Sequence, residues 1–163
     1  MRSDQHQLNE QHKVEKEKQM QIETKDLKAI TKKFFAVYGA HDVEAMTALC
    51  ADDAKGRYAP YGREYVVPVR GGLNAFWKGF TQAVPDFHVE VVEMLQAEGN
   101  AIVVQAVLGG TISADAPGGI AKKGDDIRIP HAYIIRYNAD GKISYIDCYW
   151  DNTSINSIKA SAL

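Results

Sequence analysis

Apolar residues recur along this chain in two rhythms. Between Thr24 and Tyr38 the spacing is helical: Leu27, Ile30, Phe34, Val37 and Tyr38 fall on one face, as an amphipathic helix requires. Thr24 stands where a cap would, and Gly39 ends the run. A second, short helix is predicted from Val43 to Cys50 behind Asp42, with Val43, Met46, Leu49 and Cys50 inward. A third covers Leu73 to Val84, with Leu73, Phe76, Trp77 and Phe80 on one side and Pro85-Asp86 as its stop.

Elsewhere the rhythm is two. Asp52 and Asp53 read as a turn before a short strand, Ala54 to Tyr58, and the Pro- and Gly-punctuated stretch Pro60 to Gly72 reads as loop. Phe87 to Ala97 and Ala101 to Gly110 flank Glu98-Gly99-Asn100 as a hairpin. Ile102, Val104, Ala106 and Leu108 share one face of its second strand, opposite Val103, Gln105 and Val107. After a long loop, Thr111 to Asp126, a second hairpin spans Ile127 to Asp151 around Asn138-Ala139-Asp140-Gly141. If Tyr137 pairs with Lys142, then Ile135 faces Ser144, Tyr133 faces Ile146, His131 faces Cys148 and Ile129 faces Trp150. Those eight residues share an apolar face with a few isolated polar groups. Arg128, Arg136, Tyr145, Asp147, Tyr149 and Asp151 occupy the other face, where Arg128 can pair with Asp151. A bulge in the last strand would exchange the faces and turn Asp147 inward.

The order of elements predicts an α+β domain over residues 24–163, in which three helices pack on the concave side of a curved antiparallel sheet. Residues 1–23 form a polar N-terminal extension, flexible or helical, and Met20 is an alternative start. The chain has 163 residues, 45% hydrophobic and 25% charged, enough for one well-filled core. A formal charge of −2 gives no electrostatic reason to bind nucleic acid. No apolar run spans a bilayer and no signal peptide opens the chain, so a cytoplasmic protein with no membrane partner is expected. Cys50 and Cys148 show no metal spacing and read as reduced thiols. His6, His12, His41 and His88 have no converging partners, so no metal site is expected.

Four segments carry a resemblance: HDVEAMTALCADDA, the PDF after the third helix, AEGNAIVV, and YNADGKISYIDCYWD. In this order and spacing the chain resembles the nuclear-transport-factor-2-like superfamily and, within it, the SnoaL-like polyketide cyclases. The resemblance implies a cone: helices close over a bent sheet around an apolar cavity, and the outer sheet face makes a homodimer. SnoaL-like cyclases and the similar limonene epoxide hydrolases place an Asp where this chain has Cys148, and cyclases often place a His where it has Ile146. Ketosteroid isomerases, similar in fold, use a carboxylate at the end of the first strand, where this chain reads GRYAPY. Their helical Tyr falls on Phe34, and their protonated Asp on Tyr133.

The residues left for chemistry on the inner face are His131, Tyr133 and Cys148. His131 suits general acid–base work near neutrality. Tyr133 or Tyr58 would polarise a carbonyl. Cys148 is a nucleophile only if His131 makes it a thiolate, and otherwise a buried space-filler. Tyr58, Tyr61, Phe34, Trp77, Phe80, Ile146 and Trp150 would line a site for a small hydrophobic ligand, although the aromatic stripe of the third helix reads first as core against the sheet, with which a pocket wall is compatible. The expected chemistry, enolisation, cyclisation or double-bond isomerisation, uses no cofactor. A non-catalytic ligand-binding or dimerisation module is the alternative.

Overall fold

The computed structural model describes residues 12, 27–62, 64–115 and 121–151. The expectations for Thr24, for the terminal segment 152–163 and, His12 aside, for the N-terminal extension fall outside them.

Helix α1 is helical over residues 27–39 and buries Leu27, Thr31, Phe34, Phe35 and Tyr38. This is the stripe that helical spacing predicts. His41, with φ of 63°, turns the chain. Asp42 then caps α2 (Val43–Ala48) by accepting from Ala45 N at 2.9 Å. Strand β1 is Cys50–Tyr58, longer than expected, so Asp52 and Asp53 lie inside it rather than in a turn before it. The stretch read as loop contains a 3-10 turn (Ala59–Tyr61), a short strand β2 (Val66–Pro68) and a kinked turn that leads into α3 (Asn74–Ala83). Four strands follow: β3 (His88–Ala97), β4 (Ala101–Thr111), β5 (Asp126–Tyr137) and β6 (Ile143–Trp150).

The six strands make one curved, unclosed sheet in the order β2-β1-β6-β5-β4-β3, with the helices on one side. The sheet is mixed, not wholly antiparallel, because β1 runs parallel to β6. That seam is tight. A Cβ on Gly56 would lie 2.4 Å from Leu73 Cδ1 and 2.9 Å from the Ile146 carbonyl oxygen. Only a residue without a side chain lets the last strand come this close.

Both hairpins form. Gly99 and Asn100, at φ of 69° and 55°, make the β3–β4 turn, the conformation that matches strand twist. In the β5–β6 turn, Asn138 Oδ1 accepts from the backbone N–H of Asp140 and Lys142 at 3.1 and 2.9 Å. The expected register of the second hairpin is corrected. Tyr137 pairs with Ile143, and beyond a bulge Ile135 faces Ile146, Tyr133 faces Cys148 and His131 faces Trp150. The bulge adds Ser144 to β6 at the turn, and Ser144 Oγ donates to the Arg136 carbonyl instead of facing inward. Because the pairing shifts by an even number, the faces survive: Ile146 and Cys148 stay inside and Asp147 outside. Ile102, Val104, Ala106 and Leu108 are buried as expected, and both cysteines are free and buried.

Candidate functional site

The concave face of β1, β5 and β6 meets α1 and α3 in a wall of aromatic rings. Phe34 packs edge-on against Phe35 and Trp77, and Phe35 against Tyr133 at 5.1 Å. Tyr38 packs on Phe87 at 4.7 Å. Of the residues expected to bind substrate, Phe34, Trp77 and Ile146 are almost wholly enclosed and serve as core. Phe80 is half-buried between Phe76 and Phe87. Tyr61 is 51% exposed on the 3-10 turn, with its ring near Tyr58, Tyr65, Phe76 and Trp150.

Several polar groups lie inside. The Trp77 indole N–H donates to Tyr58 Oη. Tyr133, opposite Cys148 across the ladder, bonds to its thiol. Burial first, and the neighbouring Cys148 and Tyr38 second, hold the Tyr133 phenol well above its ordinary value. Burial likewise dominates at Tyr58, with Tyr38 and Cys148 adding to it. These phenols are neutral hydrogen-bond donors at any physiological pH. Burial also pushes the Cys148 thiol up, against the hydrogen bond from Tyr133. With Trp150 and not Cys148 opposite His131, the expected imidazole–thiol pair does not form, and Cys148 is no thiolate.

His131 sits at the rim, its ring stacked on Tyr133 at 5.7 Å and on Trp150 at 5.3 Å. Its Nδ1 lies 2.8 Å from the Ile129 carbonyl oxygen. A carbonyl only accepts, so Nδ1 carries the hydrogen and Nε2 keeps its lone pair. Desolvation, opposed by that hydrogen bond, lowers the pKa to about 4. The imidazole is therefore neutral near pH 7, with Nε2 ready to receive a proton.

Asp147 lies on the opposite face. It is buried, yet Arg57 Nε and Arg136 Nη1 each reach one of its oxygens at 2.8 Å. Arg57 continues to Tyr149 Oη at 2.8 Å. Among the described residues Asp147 is the only buried carboxylate, so the inner wall holds no acid. Arg128 binds Glu90 at 2.9 Å and Arg70 binds Asp52 at 2.9 Å. Of the other histidines, His41 bonds to the Phe87 carbonyl oxygen and His88 lies at the start of edge strand β3. No group of three or more His, Cys, Asp or Glu among the described residues is arranged to hold a metal.

A family model for the SnoaL-like domain matches residues 31–146. The chain belongs to this family. No curated protein sequence matches it. Among solved structures, this SnoaL-like domain is similar to IdmH of Streptomyces antibioticus, proposed to be a polyketide cyclase, with TM-score 0.69 and 19% identity over 82% of this chain and 98% of that one. It is similar to AclR of Streptomyces galilaeus, proposed to be a hydroxylase, with TM-score 0.68 and 15% identity over 84% and 96%. SalBIII, an epoxide hydrolase/cyclase-like enzyme of pyran ring formation in salinomycin, matches with TM-score 0.65 and 18% identity over 80% and 94%. At these identities the likeness fixes the fold, and the different chemistries named for the three show that function must be argued from the site.

The site residue that the sequence pattern hides is Tyr38. It occupies a core position of α1 by spacing, yet its phenol interacts electrostatically with Tyr58, Tyr133 and Cys148. A phenol in an otherwise apolar helical stripe was the available signal.

Proposed function

We propose that this SnoaL-like domain binds a small hydrophobic carbonyl compound at the open end of the cone and moves a proton on it with His131 Nε2, without a cofactor. The observation that carries the reading is the fixed tautomer of His131. The hydrogen bond to Ile129 points a free lone pair away from the backbone, between two aromatic surfaces. A desolvated imidazole of low basicity takes only protons that a polarised carbonyl has already made acidic, such as one on a carbon between two carbonyl groups. Tyr133 supplies a neutral donor for the oxygen that gains charge, its hydroxyl hydrogen turning from the Cys148 sulfur to that oxygen. Enolisation followed by ring closure or double-bond migration is the reaction class this suits.

The test is His131→Ala, assayed with planar 1,3-dicarbonyl compounds. Proton exchange at the central carbon, followed by NMR, should fall at least ~100-fold, while affinity for the same compound changes little. Wild-type binding without any exchange above background would favour the second reading, a non-catalytic ligand-binding module. The absence of a carboxylate from the inner wall among the described residues is what supports that alternative.

The outer sheet face is the proposed surface for a homodimer. Val92 of β3 and Tyr149 of β6 expose 57% and 37% of their surface around a hollow floored by Val107, Pro130 and Ala132, and Leu95, farther along β3, exposes 51%. Sedimentation should give twice the chain mass, and Leu95→Glu should halve it.

A further inference from the structure

Four tyrosines are buried inside the cone, and three of their hydroxyls have partners. Tyr58 receives the Trp77 indole, Tyr133 bonds to Cys148, and Tyr137 shares a hydrogen with Thr31 Oγ1. Tyr38 has none among the described residues, although only 3% of it is exposed. Every fully enclosed side-chain nitrogen or oxygen among the described residues is hydrogen-bonded. A buried hydroxyl without a partner must therefore border open space, and whatever enters that space must accept its hydrogen.

The surroundings limit what can enter. The buried polar or charged side chains among the described residues are Thr31, Thr47, Thr81 and Asp147. Thr31, Thr47 and Thr81 each donate to a carbonyl one turn back in their own helices, and Asp147 is held on the outer face. No buried lysine or arginine among the described residues stands on the inner wall. A guest carboxylate would be stripped of water with no cation to receive it, whereas a ketone of the same shape needs only a donor.

Resting on the proposed ligand-binding cone, we infer that Tyr38 is its specificity-determining donor: the hydroxyl binds the carbonyl oxygen of a neutral, flat, hydrophobic compound and makes the site discriminate against the isosteric carboxylate. The ring is already placed for this by Phe87 at 4.7 Å and Trp77 at 6.4 Å, so the hydroxyl is aimed before the guest arrives.

The probes are 2-acetylnaphthalene and 2-naphthoate, which differ in charge and hardly in shape. Titration at pH 7 should show the ketone binding at least ~10-fold more tightly than the carboxylate. Infrared spectra should show the bound carbonyl stretch below its frequency in alkane. Tyr38→Phe, which keeps the ring contacts, should weaken ketone binding roughly tenfold and return the stretch towards the alkane value. Tyr137→Phe, remote from the guest, should change neither. Equal affinity for both probes overturns the inference. So does an unchanged affinity and stretch in Tyr38→Phe, the result expected if an internal water satisfies the phenol. If that variant does not fold, the wild-type stretch decides: at the alkane frequency no phenol donates. A folded wild-type protein that binds neither probe overturns the ligand-binding reading itself, and this inference with it.

Discussion

The two faces of the β5–β6 hairpin solve opposite problems with neighbouring residues. Cys148 and Asp147 are adjacent in sequence and both buried, but they project to opposite sides of the strand. On the outer side a carboxylate is tolerable because two guanidinium groups, 25% and 46% exposed, hold it and stay partly hydrated. On the inner side no cation is at hand among the described residues, and the chain carries a thiol that burial keeps protonated. The contrast shows that the inner wall is built from neutral donors and the outer face from charge. A ligand inside therefore meets hydrogen bonds and aromatic surface, not a field.

The contrast can be broken from the inside first. Trp77→Ala removes the largest enclosed ring and the partner of Tyr58, and should cost about 3–5 kcal/mol in urea unfolding. Next comes the outer face. Asp147→Ala strands two guanidinium groups that can regain water, so the loss should be about 2 kcal/mol, below that of a fully enclosed pair. Acid probes the rim. The His131 pKa falls from 6.5 to about 4 on folding, so the unfolded chain binds the extra proton between these values. That contribution is whole above pH 6.5 and drains away as the pH falls towards 4. Between pH 6.5 and 5 wild type should lose roughly 1.5 kcal/mol more than His131→Gln does. The smallest effect expected is none: Cys50 and Cys148 should stay unlabelled by a disulfide reagent at pH 8 until denaturant is added. Rapid labelling of native Cys148 would show that the inner wall is not as neutral as its surroundings imply.

The strands of the meander were legible because alternation is local. Ile102 to Leu108 displays its inward face in seven consecutive residues. The helices were legible for the same reason at the other period. The register of the hairpin was not, because one extra residue at Ser144 changes pairing without disturbing alternation on either side. Nor was the parallel seam of β1 with β6, since no turn joins strands so far apart in the chain. Asp147 could be placed on the outer face, but its burial depends on Arg57, 90 residues away. Tyr38 was read only as core, because a ring that packs and a hydroxyl that recognises leave the same mark in a helical stripe.

The seam between β1 and β6 also sets an order of assembly. β1 lies in the first half of the described chain, and its partner is the last strand. During synthesis, β3, β4 and β5 can zip up by short hairpins as they emerge, while Gly56 and its neighbours wait for residues 143–150. Closing so long a loop is the slow part of folding. The wall that carries Cys148 and faces Tyr133 is thus the last to be built, and until then the aromatic rings of α1 and α3 have no sheet seam to close against. A nascent chain of this kind hides its most adhesive surface only once residues 143–150 have emerged.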